Sequence, residues 1–580
     1  PDFDLDIALL AGDIRYSNES GLTSDGFAGM TFGRGISGRI SSQFYRNGGE
    51  IVVQVDGSVD LPVLFEWSDQ ILLSRASGLL DYRTEIHIPY GGVMDKIYIE
   101  TFSDLSGVIV DLPEPLSKPA RDTAHEFRYR QLFEESGYRI DLSMDDNLFA
   151  SLKIEDGIAT GGRVHFGAAA YGAVTYDAIR MSGELPFLDY GAWEAVTEQF
   201  GVISDRSFEE EIAAHLASAE LSIEELLVYY LSLDDVEMLV TRGDEHWIAS
   251  LQNEMLGGEV RIFDEDGSPL GVNLNWLSFE SEGGALDPLY DVDPIEVADV
   301  DFSTEQLLLD GEDFGRWSFN YRTSEYGGRF EDLAVSALGM QVEAGSLGEW
   351  FYRKGQHGSR FVGDIMIDDL AEVQRNFGFA SSIEGEGLKL AADVSWDGYP
   401  AMVDVETVSG EVEILEGNGR FVQAETGGAL KLLGIFDFAS LARRFRLDFS
   451  DVIDGGFEFT DIQGVISFDE GEVVVQEPIV IHGSSGKFTV GGGLNLVSNR
   501  LDNDMIVTLP VGRTLPWYAA YSAIATGPLA GAGVMLAQKV FENQINQMSS
   551  AKYKISGSME EPDIQFVTIF NDTVREAIPE

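Results

Sequence analysis

No cysteine occurs among the 580 residues, which excludes disulfides and thiolate metal sites and suits a periplasm-like compartment. Positive charge is scarce: 38 basic residues stand against 99 acidic ones, a formal net charge of −61. That balance excludes nucleic-acid binding through a basic face and points to a heavily hydrated surface in a salty or cation-rich medium. The opening Pro1-Asp-Phe-Asp-Leu-Asp6 lacks an initiator methionine, a basic leader and an apolar signal core. The chain therefore reads as a fragment whose targeting or anchoring segment lies upstream.

Signatures of chemistry are missing too. There is no Gly-x-Ser-x-Gly elbow. His87, His125, His165, His215, His246, His357 and His482 are scattered, with no pair at metal spacing. Carboxylates are too abundant to single out an acid and a base. Gly33-Arg-Gly-Ile-Ser-Gly38 fits the dinucleotide pattern letter by letter but has no following helix or βαβ frame, so these are turn glycines. Asp287, Asp291, Asp293, Asp299 and Asp301 do not match a calcium loop and read as a solvated acidic segment. We expect no catalytic residue, no metal and no cofactor, hence no enzyme.

What is present is alternation. Apolar residues fall on every second position at Phe457 and Phe459; Ile462, Gly464, Ile466 and Phe468; Val473 and Val475; Ile479 and Ile481; Phe488 and Val490; Leu494 and Leu496; and Met505, Val507 and Leu509. A period of two places them on one face of a sheet. Polar, glycine-rich turns separate them, as at Asp469-Glu-Gly471 and Gly483-Ser-Ser-Gly486.

The same text runs through residues 1–186, for example at Gly49–Ser58, Lys96–Glu100 and Ser151–Gly157, interrupted by the proline-rich Asp111–Pro119. Over 187–235 the period changes. Leu188, Trp193, Val196 and Phe200 predict one helix, and Ile212, Leu216, Leu221, Leu226, Leu227 and Leu231 predict one or two more. Ser222-Ile-Glu-Glu225 reads as a capping box opening the last, and Glu209-Glu-Glu211 as the first turn of the helix before it. Strands resume over 236–510, with turns at Asp264-Glu-Asp-Gly267 and Glu416-Gly-Asn-Gly419 and a short helix over Asp368–Phe377 carrying Leu370, Val373 and Phe377 on one side. Residues 511–548 predict two apolar helices split at Gly527-Pro528, and 549–580 a final strand and tail.

From Val511 to Ser558 the charges are Arg513, Lys539, Lys552 and Lys554 against Glu542, a local net of +3. Basic residues around Trp- and Tyr-bearing apolar helices suit an anionic leaflet, with Trp517, Tyr518, Tyr521, Ile524, Leu529, Val534, Met535 and Phe541 as the contacts. The alternative is that these helices cap the sheet without touching lipid. Arg443, Arg444 and Arg446 either hold phosphates at a rim or pair with Asp448, Asp451 and Asp454.

The run Leu432–Asp451, followed by Gly456-Phe457 and Phe468-Asp-Glu-Gly471, resembles the C-terminal region of the YhdP proteins, part of an AsmA-like group that includes TamB. Val110–Ala120, the helix from Asp368 to Phe377, and the uncharged helices before Tyr553–Ser558 agree with it in order and spacing. The resemblance implies a mainly β fold: an elongated, curled, antiparallel-rich sheet forming an open apolar groove, with a helical insert and C-terminal helices. It implies phospholipids as cargo, a periplasmic location in a diderm bacterium, an inner-membrane anchor upstream, and an outer-membrane contact through the C-terminal helices. On that reading the alternating residues from Phe457 to Leu509 line the groove. Two rivals are a β-rich adhesin or interaction protein with a filled core, and an outer-membrane β-barrel, against which the helical stretches speak.

Overall fold

The computed structural model describes the chain outside residues 1–4, 92–95, 120–123, 169–172, 204–213, 229–230, 280–291, 377–380, 401–402, 404–405, 422–456, 484–485, 509–549, 559–561, 570–572 and 575–580, and outside positions 47, 69, 266, 354 and 382. The fold is mainly β, as expected. Among the described residues three α-helices occur, Leu61–Ser68, Tyr190–Ile203 and Leu370–Asn376. The chain divides into two units, Pro1–Asp266 and Gly267–Glu580.

In the first unit, hairpins follow one another as a meander. Arg34–Tyr45, Gly48–Asp60, Leu79–Tyr90, Tyr98–Ser103, Phe127–Phe133, Tyr138–Met144, Leu148–Glu155 and Ile158–Phe166 pair antiparallel in that order. The Gly33 stretch is a turn: Phe32 and Gly33 both have positive φ between the paired Thr31 and Arg34. Ile179–Leu185 then pairs parallel to Ile158–Phe166 and to Leu216–Val228. A parallel pair needs a crossover. The helix Tyr190–Ile203 occupies that connection, with Asp189 Oδ1 accepting from the Ala192 amide at its start (2.9 Å).

The expectation of further helices over 216–231 is corrected: Leu216–Val228 and Leu231–Arg242 are an antiparallel strand pair. Ser222-Ile-Glu-Glu225 is therefore strand and not a capping box, while Ile212 and Glu209–Glu211 lie outside the described residues. The cause is burial on both faces. Leu221, Ile223 and Val236 are buried on one side and Leu226 and Leu233 on the other, so alternation is lost from the sequence.

The second unit is also a ladder. Arg316–Ser324, Gly327–Ala337, Met340–Arg353, Gln356–Ile367, Ile383–Asp397, Ser409–Phe421, Phe457–Asp469, Glu472–Gly483, Gly486–Asn495, Arg500–Thr508, Ser550–Gly557 and Pro562–Ile569 pair antiparallel in order. Glu470 and Gly471, both at positive φ, make the tight turn read from sequence. Several irregularities keep the faces in phase. The register skips Thr460 between Phe459 and Asp461 and shifts again on either side of Val465, and toward Gly486–Asn495 it skips Gln476–Pro478 between Val475 and Ile479. Pro478 thus sits where no ladder hydrogen bond is asked of it.

Two expectations, one of a turn and one of a groove-lining residue, are corrected here. Glu416–Gly419 lies inside the strand Ser409–Phe421, beside a register shift, because glycines at a bulge resemble glycines in a turn. Leu496 falls in the turn after Gly486–Asn495 and not on the sheet face. The short helix Leu370–Asn376 forms as expected, capped by Asp369 Oδ1 on the Ala371 and Glu372 amides (2.9 and 3.1 Å). Phe377 lies outside the described residues.

Gly162, at φ +138°, shows how tight the ladder is: a Cβ there would press on the Ser151 carbonyl and come within 2.9 Å of Leu152 Cα. Gly162→Ala should cost about 1–3 kcal/mol, read as a lower urea midpoint at unchanged slope.

Candidate functional site

Directly opposed residues of paired strands point to the same face, and neighbours within a strand to opposite faces. Followed through the first unit, the register yields two faces of unlike character. One row runs Val55, Thr84, Thr101, Tyr129, Leu142, Ala150, Val164, Met181, Ala219, Val240, Ala249, Val260. The next row on that face runs Ile40, Val53, Ile86, Ile99, Gln131, Ile140, Leu152, Gly162, Ile179, Leu216. One position over, the other face reads Arg39, Gln54, Glu85, Glu100, Arg130, Asp141, Ser151, Arg163, Arg180.

The apolar face is not closed. From Phe127 to Met181 most of its large side chains, among them Tyr138, Ile140, Leu142, Leu152, Val164 and Ile179, are half-buried, while Ile154 opposite Tyr138 is buried. It is nonetheless a poorly hydrated surface: burial pushes the phenols of Tyr82, Tyr129 and Tyr138 up, Tyr129 furthest. The Tyr129 hydroxyl is satisfied by donating to Gln131 Oε1 at 3.0 Å. A small core of Leu61, Leu105 and Val108 packs Phe127 and Met144 and closes the face at that end of those strands. The helix Tyr190–Ile203 packs Phe200 beneath Arg75, and Trp193 Nε1 donates to the carbonyl of Glu114 in the proline-rich loop (2.9 Å).

The second unit repeats the arrangement with larger rings. A row runs Val300, Tyr321, Phe330, Gly348, Phe361, Val394, Gly410, Phe468, Val473, Leu494, Leu501. Beside it run Val335, Val342, Ile365, Leu390, Ile414 and Gly464. Rings lie against glycines of the next strand: a Cβ on Gly348 would sit 3.2 Å from Phe330, and one on Gly419 2.8 Å from the ring of Phe459. Phe330, Phe361, Ile365, Leu390 and Val394 are half-buried. The opposite face holds ion pairs, with Arg360 between Glu349 and Asp393 (3.7 and 2.8 Å) and Lys389 on Asp364 (3.1 Å). Such exposed pairs stabilise little and serve mainly to hydrate that side.

Of the residues read from sequence as groove-lining, Phe459, Ile462, Ile479, Ile481, Phe488, Val490, Leu494, Met505 and Val507 come together in one cluster with Phe421, Leu501, Tyr553 and Ile555. Ile466, Phe468, Val473 and Val475 continue the same face. The cluster is dry, with Phe488 and Met505 each 1% exposed. Phe457 opposes Phe421 in the ladder. Leu509, the arginines Arg443, Arg444 and Arg446, and Trp517, Tyr518, Tyr521, Ile524, Leu529, Val534, Met535 and Phe541 lie outside the described residues.

The half-open rows of both units were not singled out from sequence. Their signal was available in Phe127-Arg-Tyr-Arg-Gln-Leu-Phe133 and Tyr138-Arg-Ile-Asp-Leu-Ser-Met144, where charge and apolar residues alternate. Among the described residues no helix is long and apolar enough to cross a membrane, which says nothing of crossing by strands.

No solved structure matches this chain. The chain is 27% identical over 220 residues to the "Intermembrane phospholipid transporter YhdP" of Escherichia coli strain K12, a stretch covering 38% of this chain and 17% of that protein. The profile of the family described as "YhdP protein" matches residues 1–564, and a match over nearly the whole length places this chain in the YhdP family.

Proposed function

We propose that the apolar faces carry phospholipid acyl chains along the sheet, as part of a periplasmic device that passes lipid between the inner and outer membranes of a diderm bacterium. The observation that carries this reading is the half-buried apolar face, continuous over many strands and backed by a charged one. A closed core would have buried it.

The energetics favour such a surface. A two-chain lipid exposes roughly 30 methylenes, and at about 0.8 kcal/mol each its full extraction into water costs on the order of 24 kcal/mol. A barrier of that size is crossed roughly once a day. A hydrophobic strip that keeps the chains out of water removes most of it. Within the second unit the packed cluster around Phe488 acts as a closed end, and the rows through Ile365 and Val394 as the open path. The apolar, Trp- and Tyr-bearing stretch 511–548 meets the outer-membrane leaflet.

A second reading, a β-rich interaction protein with a filled interior, draws on the dryness of that cluster. Native mass spectrometry of the detergent-free chain separates the two: bound phospholipid is expected, and a uniformly lipid-free protein would contradict transport along the sheet.

A further inference from the structure

On the charged face of the first unit, two paired strands bring Glu85, His87 and Glu100 together. One donor atom from each lies within 4.8 Å of the other two. The chain has 99 acidic residues, so carboxylates in proximity mean nothing alone. The informative group is His87. It is 8% exposed, and its Nε2 has no hydrogen-bond partner. Its Nδ1 faces Glu50 Oε2 at 3.4 Å, and Glu50 is itself only 7% exposed.

A carboxylate only accepts, so the Nδ1 that faces Glu50 is a donor, and Nε2 is the ring nitrogen turned to the cluster. There it meets Glu85 Oε2 at 3.6 Å, within ion-pair reach of a protonated ring but too far for a hydrogen bond. Tyr98 stacks on the imidazole at 4.3 Å and 8°, fixing its plane. Arg128 and Arg130 approach Glu100 only at Oε1 (2.9 and 3.6 Å), leaving Oε2 for another partner.

We propose that Glu85, His87 and Glu100 bind a divalent first-row metal ion, zinc by preference, with Glu50 as the outer carboxylate that orients the histidine. One imidazole nitrogen and two carboxylate oxygens are the mixed donors zinc accepts, and a carboxylate behind the ligating histidine is its usual support. Ligands around tetrahedral zinc stand about 3.4 Å apart, a contraction that rotation of the two glutamate side chains supplies. The ion would tie Leu79–Tyr90 to Tyr98–Ser103 on the side away from the apolar rows, stiffening them without entering the lipid path. Sequence spacing gave little hint: Glu85 and His87 stand two apart on one strand, but Glu100 comes from the next and the histidine has no histidine partner.

The test is zinc titration of the metal-stripped 580-residue chain by calorimetry, with excess calcium present to occupy ordinary surface carboxylates. One zinc per chain is expected, with one imidazole nitrogen in its shell by X-ray absorption. His87→Asn should abolish that site, Glu85→Gln with Glu100→Gln should do the same, and Glu50→Gln should weaken it about 10- to 100-fold. Circular dichroism checks that each variant is folded. The proposal is overturned if the unmodified chain takes no zinc under calcium, if the shell contains only oxygen, or if folded His87→Asn binds as before. The absorption result needs no variant and decides the matter even if His87→Asn fails to fold.

Discussion

Val164→Asp, or Ile365→Asp in the second unit, is expected to leave the protein folded and strip it of co-purifying phospholipid. Both side chains are half-buried on the apolar face, so a carboxylate there keeps part of its water in the lipid-free protein. An acyl chain lying over it would take that water away. Burying an unpaired charge costs several kcal/mol, and a loss of even about 3 kcal/mol lowers occupancy more than 100-fold. Arg163, one residue along, points to the opposite face, and Arg163→Asp should retain lipid. Lipid is quantified by native mass spectrometry and folding by circular dichroism. Retention of lipid by Val164→Asp would remove that row from the path. Loss of cooperative unfolding would instead mean a packed interior there.

The second large effect belongs to the packed cluster of the second unit. Phe488→Ala should destabilise the protein by about 3–5 kcal/mol, because the ring is fully enclosed and its removal leaves a cavity among Ile481, Val507 and their neighbours. Val164→Ala, at a site already half open to water, should cost far less, of order 1 kcal/mol. Urea unfolding measures both. Equal costs at the two sites would erase the distinction between closed end and open path on which the transport reading relies.

The period-two pattern made the strands legible, and it made legible which residues share a face: Ile462, Ile481, Phe488 and Val507 are direct neighbours across four strands. What the pattern left open was the second layer of information. Whether such a row is covered or exposed depends on what lies above it, and Phe488 and Phe361 look alike in a sequence while differing in burial. The pattern misled where a strand is enclosed on both sides. Leu221, Leu226 and Leu227 read as a helix for that reason, and their Leu, Ala and Glu neighbours reinforced the error through helix propensity. Glycines misled at Glu416–Gly419, since a bulge and a turn ask for the same residue.

Within each unit nearly every strand pairs with the one that follows it in the chain. Contact order is therefore low for an all-β protein of this size, and the usual kinetic penalty for joining distant segments is avoided. Each completed hairpin presents a ready edge to the segment arriving next, so the ladder can be assembled progressively, in the direction in which a polypeptide emerges from a ribosome or a translocation pore. One exception in the first unit is the parallel pairing across Tyr190–Ile203, where the chain must travel back along a crossover before the ladder resumes. A pause in assembly belongs there, and pulse-labelled hydrogen exchange should find the strands before it protected earlier than Leu216–Val228.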